Sequence, residues 1–191
     1  ITVRWGDGRR DVFVDDGSGW ASAPALHAMR ITAAGGGYEL RTKHGFVYAF
    51  DAQGRLTALR DRNANAMTLA YDGSGRLTSM TDASGRTLQL AYDGQGRLVS
   101  IAGLQQPSFA TLEYAGDLLV GLRDPAGNLT QVSYDGAGLA VAVRDPDADG
   151  IDFDYAPSLP VVVRAVTTDG AERRFAYEPS TRTTSVTDVI A

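Results

Sequence analysis

A seven-residue phrase returns at 21-residue intervals in this chain. The copies are Phe50-Asp51-Ala52-Gln53-Gly54-Arg55-Leu56, Tyr71-Asp72-Gly73-Ser74-Gly75-Arg76-Leu77 and Tyr92-Asp93-Gly94-Gln95-Gly96-Arg97-Leu98. Tyr114, Tyr134, Tyr155 and Tyr177 continue the series at intervals of 22, 20, 21 and 22. A fixed period of this size marks a repeat architecture, in which each unit buries its apolar face only against its neighbours. The question of function therefore moves from an active site to what the repeated surface encloses or touches.

Each unit reads as two strands and two turns. Thr87-Leu88-Gln89-Leu90-Ala91-Tyr92 alternates strictly, with Leu88, Leu90 and Tyr92 on one face. Met67, Leu69 and Tyr71 alternate in the same way, as do Ile151, Phe153 and Tyr155. Asp93-Gly94-Gln95-Gly96 and Asp82-Ala83-Ser84-Gly85 are turn phrases: Asp bonds nearby backbone N–H groups, and Gly accepts positive φ. The other strand of each unit is less regular. Its apolar residues fall three apart, as in Leu56 and Leu59, Leu77 and Met80, or Leu98 and Ile101. Either a bulge re-aims one of each pair, or both faces are partly buried.

The expected fold is all-β: tandem two-strand repeats of about 21 residues in a curled antiparallel ribbon, an open spiral or shell fragment. Residues 1–45 read as an irregular β lead-in, and residues 46–191 as the repeat array. About 18 strands are expected, and sheets of more than about 10 strands tend to curl.

Composition narrows the partners. Apolar residues make up 43%, enough for a packed core. A net charge of −5 argues against a nucleic-acid partner. No apolar run is long enough to span a membrane as a helix, and no signal peptide is visible. Cysteine is absent, which excludes disulfides and thiolate metal sites. The chain begins with Ile1, which reads as a mature or excised segment.

The phrases Tyr71-Asp72-x-x-Gly75-Arg76-Leu77 and Tyr92-Asp93-x-x-Gly96-Arg97-Leu98 resemble the YD repeat of the Rhs family. The stretch from Phe50 through Asp61-Arg62-Asn63-Ala64-Asn65 to Tyr71 is similar to the start of a bacterial Rhs array. Tyr114-Ala115 and Tyr134-Asp135-Gly136-Ala137-Gly138-Leu139 depart from the pattern by lacking the Arg, and Tyr155-Ala156 and Tyr177-Glu178 by lacking the Asp. The resemblance implies a β-ribbon that spirals into a hollow shell. In bacterial members the shell holds a C-terminal toxin or effector of the same parent chain, and the protein is secreted or displayed at the cell surface. Related shells in teneurins serve adhesion.

The single residues favour structural roles. Each Tyr closes an alternating apolar face, so packing with the OH near a turn is the better reading than a ligand ladder. Arg55, Arg76 and Arg97 are expected to pair with turn aspartates of their own or the next repeat. Asp145-Pro146-Asp147-Ala148-Asp149-Gly150 fits the opening of a calcium loop, with Gly150 permitting the sharp turn and the Ile151 carbonyl also pointing inward. Ala156 stands where a bidentate Glu would be, so Asp152 or Asp154 would supply the remaining charge; the plainer alternative is an acidic hairpin turn. No other cofactor is called for. Asp124-Pro125-Ala126-Gly127 superficially resembles a phrase of the family's protease element, but it sits in an ordinary turn slot with no second Asp placed opposite. His27 and His44 lack metal-ligand spacing. No catalytic residue is assigned. The expected function is a non-catalytic shell segment enclosing toxin cargo. The alternative is an extracellular adhesion or carbohydrate-binding module with a glycan or protein ligand.

Overall fold

The computed structural model describes residues 1–22, 29–103, 106–157 and 160–189. The protein is all-β, with nineteen strands and no helix among the described residues. It forms two compact units, Ile1–Leu90 with Gly103–Gln105, and Ala91–Ala102 with Gln106–Ala191.

The first unit contains β1 (Thr2–Arg4), β2 (Arg10–Asp15), β3 (Trp20–Ser22), β4 (Arg30–Ala34), β5 (Gly37–Arg41), β6 (Val47–Phe50), β7 (Leu56–Arg60), β8 (Ala66–Tyr71), β9 (Leu77–Thr81) and most of β10 (Thr87–Tyr92). These strands pair antiparallel in sequence order. The 45/46 boundary expected from the repeat pattern falls between β5 and β6, inside this unit. The second unit contains β11 (Leu98–Gly103) up to Ala102, then β12 (Gln106–Ala115), β13 (Leu118–Arg123), β14 (Leu129–Tyr134), β15 (Ala140–Arg144), β16 (Gly150–Tyr155), β17 (Val162–Thr167), β18 (Glu172–Glu178) and β19 (Thr183–Val189). From β12 onward these too pair antiparallel in order.

One five-residue turn joins most of these strands. In Asp72–Arg76 the Asp72 N–H donates to the Arg76 carbonyl and the Gly75 N–H to the Asp72 carbonyl, both at 2.9 Å. Asp72 Oδ1 accepts the N–H of Ser74 and of Arg76, and Oδ2 accepts Arg76 Nε at 2.7 Å. Gly75 lies at φ +81°, the left-handed region that glycine enters without a Cβ clash. The same backbone pair of bonds closes 51–55, 61–65, 82–86, 93–97, 124–128, 135–139 and 145–149. Where the repeat is regular, both of its turns are therefore one device, although only one carries the recurrent Tyr-Asp phrase.

The irregular strand is explained by a bulge. Ala70 pairs with Ser79 but Tyr71 pairs with Leu77, leaving Thr78 as the extra residue. Thr57 occupies the same place, between the pairs Ala49–Ala58 and Phe50–Leu56. The two threonine hydroxyls bond the Ala70 and Ala49 carbonyls at 3.2 Å. The bulge puts Leu77 and Met80, opposite Tyr71 and Leu69, on one face despite their odd spacing.

Cross-strand partners share a face, so one row can be followed across the first unit: Leu40, Tyr48, Leu59, Met67. Leu40 is 0% exposed and Met67 is 42% exposed. The difference lies in what covers them. Phe13, Met29, Ile31 and Leu40 form a buried cluster on which Val3, Trp5, Trp20, Tyr38, Tyr48 and Phe50 pack. The Trp5 ring stands edge-on to Tyr48 at 5.5 Å. The lead-in, irregular as sequence, thus holds the buried cluster of the described residues. In the repeats the sheet is a single layer, and its apolar residues are half-exposed.

Candidate functional site

The repeated surface is the candidate site, and its two faces differ in chemistry. In the second unit one face carries ion pairs between and along strands: Arg123 with Glu113 at 2.5 Å, Arg144 with Asp152 at 2.5 Å, and Arg164 with Asp154 at 2.8 Å and Glu172 at 3.0 Å. Glu172 also meets Arg174 at 2.5 Å. In the first unit Glu39 takes Arg41 and Arg60 in the same manner, at 2.9 and 3.2 Å. The opposite face of the second unit presents Leu112, Leu122, Val132, Val143, Ile151, Phe153, Ala165 and Phe175, as the strand registers require. Leu122 stays 42% exposed, Ile151 37% and Val186 55%. Among the described residues the ion pair on this face is Arg173 with Asp188, at 2.6 Å. One face carries most of the ion pairs, and the other is mainly apolar and partly exposed.

Within each compact unit, a latch ties one repeat to the repeat before it. Tyr71 OH donates to the Leu56 carbonyl at 2.8 Å, Tyr114 OH to Leu98 at 2.9 Å, Tyr134 OH to Leu119 at 2.7 Å and Tyr155 OH to Ala140 at 2.8 Å. Each such bond contributes about 0.5–1.5 kcal/mol. The guanidinium of Arg55 lies 4.9 Å from the Tyr71 ring centre and that of Arg97 lies 4.6 Å from Tyr114, which adds cation–π attraction. The same arginines pair with Asp51 and Asp93 of their own turns at 2.7 Å. The arginines thus pair within the turn, as one of the expected alternatives had it. Their stacking on the next tyrosine was not read from the sequence, although the recurrence of a Tyr 16 or 17 residues after each Arg was a signal that could have found it. The hydroxyls of these four tyrosines are committed to the backbone, while Tyr177 stays 42% exposed.

Electrostatics follow the turn. Asp72 and Asp93 are held below the ordinary carboxylate range by the backbone N–H of Arg76 and Arg97, then by the guanidinium groups. Asp51 is lowered in the same way by Arg55. In Asp82 the Arg86 side chain leads, and in Asp61 and Asp124 the Asn65 and Asn128 side chains do.

The acidic turn at 145–150 is one of these turns. Asp145 Oδ1 accepts the N–H of Asp147 and of Asp149. The left-handed residue is Ala148, at φ +69°. Gly150 begins β16 instead of making the sharp turn; a Cβ there would meet the Val143 carbonyl oxygen at 1.9 Å. Asp149 accepts the Thr168 hydroxyl at 2.9 Å, Asp152 pairs with Arg144, Asp154 pairs with Arg164, and the Ile151 carbonyl accepts Arg144 Nη1 at 3.1 Å. No three acidic or histidine side chains converge on a metal position among the described residues. Asp124 is engaged by Asn128 Nδ2 at 2.8 Å and by the N–H groups of Ala126 and Asn128. His44 is exposed in the 42–46 turn, and His27 lies outside the described residues.

Comparison with known proteins adds the following. The RHS Repeat family matches residues 71–103. No curated protein matches the chain. The crystal structure of TcdB2-TccC3 without its hypervariable C-terminal region is similar over 93% of this chain, with a TM-score of 0.55 at 12% identity. That of TcdB2-TccC3-Cdc42 is similar over 93%, with a TM-score of 0.52 at 14% identity. The chain spans 12% of the length of each of those chains, and at this identity the likeness is one of fold.

Proposed function

We propose, from the premise that this chain is an RHS-repeat protein of the YD type, that it is a non-catalytic wall segment enclosing a polypeptide cargo. The observation that supports this reading is the asymmetry of the sheet: most ion pairs on one face, and a mainly apolar, partly exposed face on the other. Apolar surface left in water is unfavourable by roughly 25 cal/mol per Å², and large exposed patches mark contact surfaces. A wall with one apolar face suits a partner that is itself apolar or incompletely folded. The mechanism is steric: a continuous hydrogen-bonded sheet keeps proteases from the cargo and the cargo from the producing cell. By the same reading the cargo is a toxin or effector of the parent chain, and the protein is secreted or held at a bacterial surface. The adhesion or sugar-binding alternative gains no support from Tyr71, Tyr114, Tyr134 and Tyr155, whose hydroxyls are spent internally.

The chain has no cysteine, which allows a direct test. In the whole parent protein, single cysteines at Leu122 or Ile151 are expected to resist a soluble maleimide reagent. Cysteines at Glu113 or Asp154 on the other face are expected to react. Equal labelling of the two faces would remove the enclosure reading. Calcium at Asp145, Asp147 and Asp149 would require Asp152 or Asp154 to leave its arginine. Such binding is proposed only for a rearranged turn, and identical melting in calcium and in chelator would exclude it.

A further inference from the structure

The chain contains seven Asp–Gly dipeptides, and three of them sit in the same turn frame: Asp72–Gly73, Asp93–Gly94 and Asp135–Gly136. Among bonds that follow aspartate, Asp–Gly is the most open to succinimide formation, because glycine puts no side chain in the way of its own nitrogen. In all three turns the space beside the glycine Cα is open, with nothing within 4 Å of where a Cβ would stand. In all three the aspartate Oδ1 accepts two backbone N–H groups at 2.9 Å. The frames differ at their fifth residue. Arg76 and Arg97 put a guanidinium nitrogen 2.7 Å from the second carboxylate oxygen. Leu139 puts nothing there.

We infer that Asp135–Gly136 is a site of spontaneous isoaspartate formation in the folded protein, and that the arginine of the YD phrase protects the equivalent bonds at Asp72 and Asp93. The Gly136 nitrogen attacks Cγ of the protonated Asp135 carboxyl; the amide proton and the carboxyl hydroxyl leave together as one water molecule, and a succinimide ring forms. Water then opens the ring at either carbonyl. Opening at the α-carbonyl leaves the backbone running through the side-chain carboxyl, with no net change in mass. The arginine opposes the first step in two ways. It keeps the carboxyl ionised, and therefore a poor electrophile. It also prevents the side-chain rotation that brings Cγ to the nitrogen. The lowered carboxyl pKa values at Asp72 and Asp93 agree with the first effect. The other Asp–Gly bonds lie in different frames: Asp16, for example, is clamped by Arg30, and Gly150 is packed against Val143.

The test is to age the folded chain at neutral pH and to map isoaspartate peptide by peptide, with the chain unfolded in urea as reference. In urea the three sites are expected to convert alike. In the folded chain Asp135 is expected to convert roughly two- to fivefold faster than Asp72 or Asp93. Leu139→Arg should bring Asp135 down to their rate, and Arg76→Gln should raise Asp72. Should Arg76→Gln fail to fold, the wild-type comparison and Leu139→Arg decide the matter alone. Equal folded rates, no product at Asp135, or an unchanged rate in Leu139→Arg would each overturn the inference.

Discussion

Gly75 and Ala64 occupy the same slot of the same turn, at φ +81° and +66°. A β-branched side chain resists that conformation, so Gly75→Val is expected to lower stability by about 1–3 kcal/mol. Ala64→Gly should act in the opposite sense, raising stability by roughly 0.5–1 kcal/mol. Thermal melts of the two variants check both signs, and an unchanged Tm in Gly75→Val would contradict the turn geometry. The turn carboxylates set a pH dependence. Their folded pKa values are depressed, so the stability they contribute is present above the ordinary carboxylate range and is lost as pH falls through the folded values. Tm is expected to fall on acidification from pH ~5 toward pH ~2, and to fall less steeply in Asp72→Asn. At this scale much was legible. Asp, Gly and Arg at fixed offsets have separate jobs that chemistry assigns. The acidic turn stayed open to two readings, because a run of carboxylates looks alike whether it holds a cation or caps backbone N–H groups.

The bulge explains the arithmetic of the repeat. Pairing across a hairpin preserves odd or even numbering on a face when the paired numbers sum to an even value, and reverses it when the sum is odd. Leu69–Met80 sums to an odd value and Met80–Leu88 to an even one, so each repeat reverses parity once and its length is odd. Where Ala115 pairs with Leu118 across a two-residue turn, one residue is lost and the tyrosine interval becomes 20. Between Tyr155 and Val162 the loop gains one, and the interval becomes 22. Deleting Gln89 from the unbulged strand β10 should therefore turn Leu88 or Leu90 toward the polar face and cost on the order of 2–4 kcal/mol, whereas deleting Thr78 would only remove the bulge and keep Leu77 and Met80 on one face. Adding one residue to the 116–117 turn should be far milder. Comparable loss of Tm in the Gln89 deletion and the turn insertion would refute the parity account. The sequence showed the odd spacing of Leu77 and Met80 but could not choose between bulge and two-sided burial, because the choice depends on which strand lies opposite.

Across the molecule, the buried cluster belongs to the first unit, and Trp5 and Trp20, the two tryptophans of the chain, both pack on it. Tryptophan emission therefore reports the first unit, whereas far-UV circular dichroism reports both. Unfolding in denaturant is expected to show two midpoints, with emission changing at the higher concentration. Coincident curves would show that the cluster adds no local stability. The all-β repeat plan was visible in the periodicity, but this cluster was not. Phe13, Ile31 and Leu40 come together from strands whose spacing follows no repeat, and only the fold brings them into contact.

The constancy of the turn has a consequence for how such a chain can change length. Thr57 and Thr78 break alternation at the same point of successive units, and Asp51, Asp72 and Asp93 close the same ring of bonds. A recombination event between two copies of the coding repeat would add or remove one whole unit. Every residue downstream would keep its face, its partner type and its latch to the unit before. A shift by an odd number of residues within a strand would invert the sheet from that point onward unless a turn absorbed it. The gene can thus be lengthened by duplication at almost no structural risk.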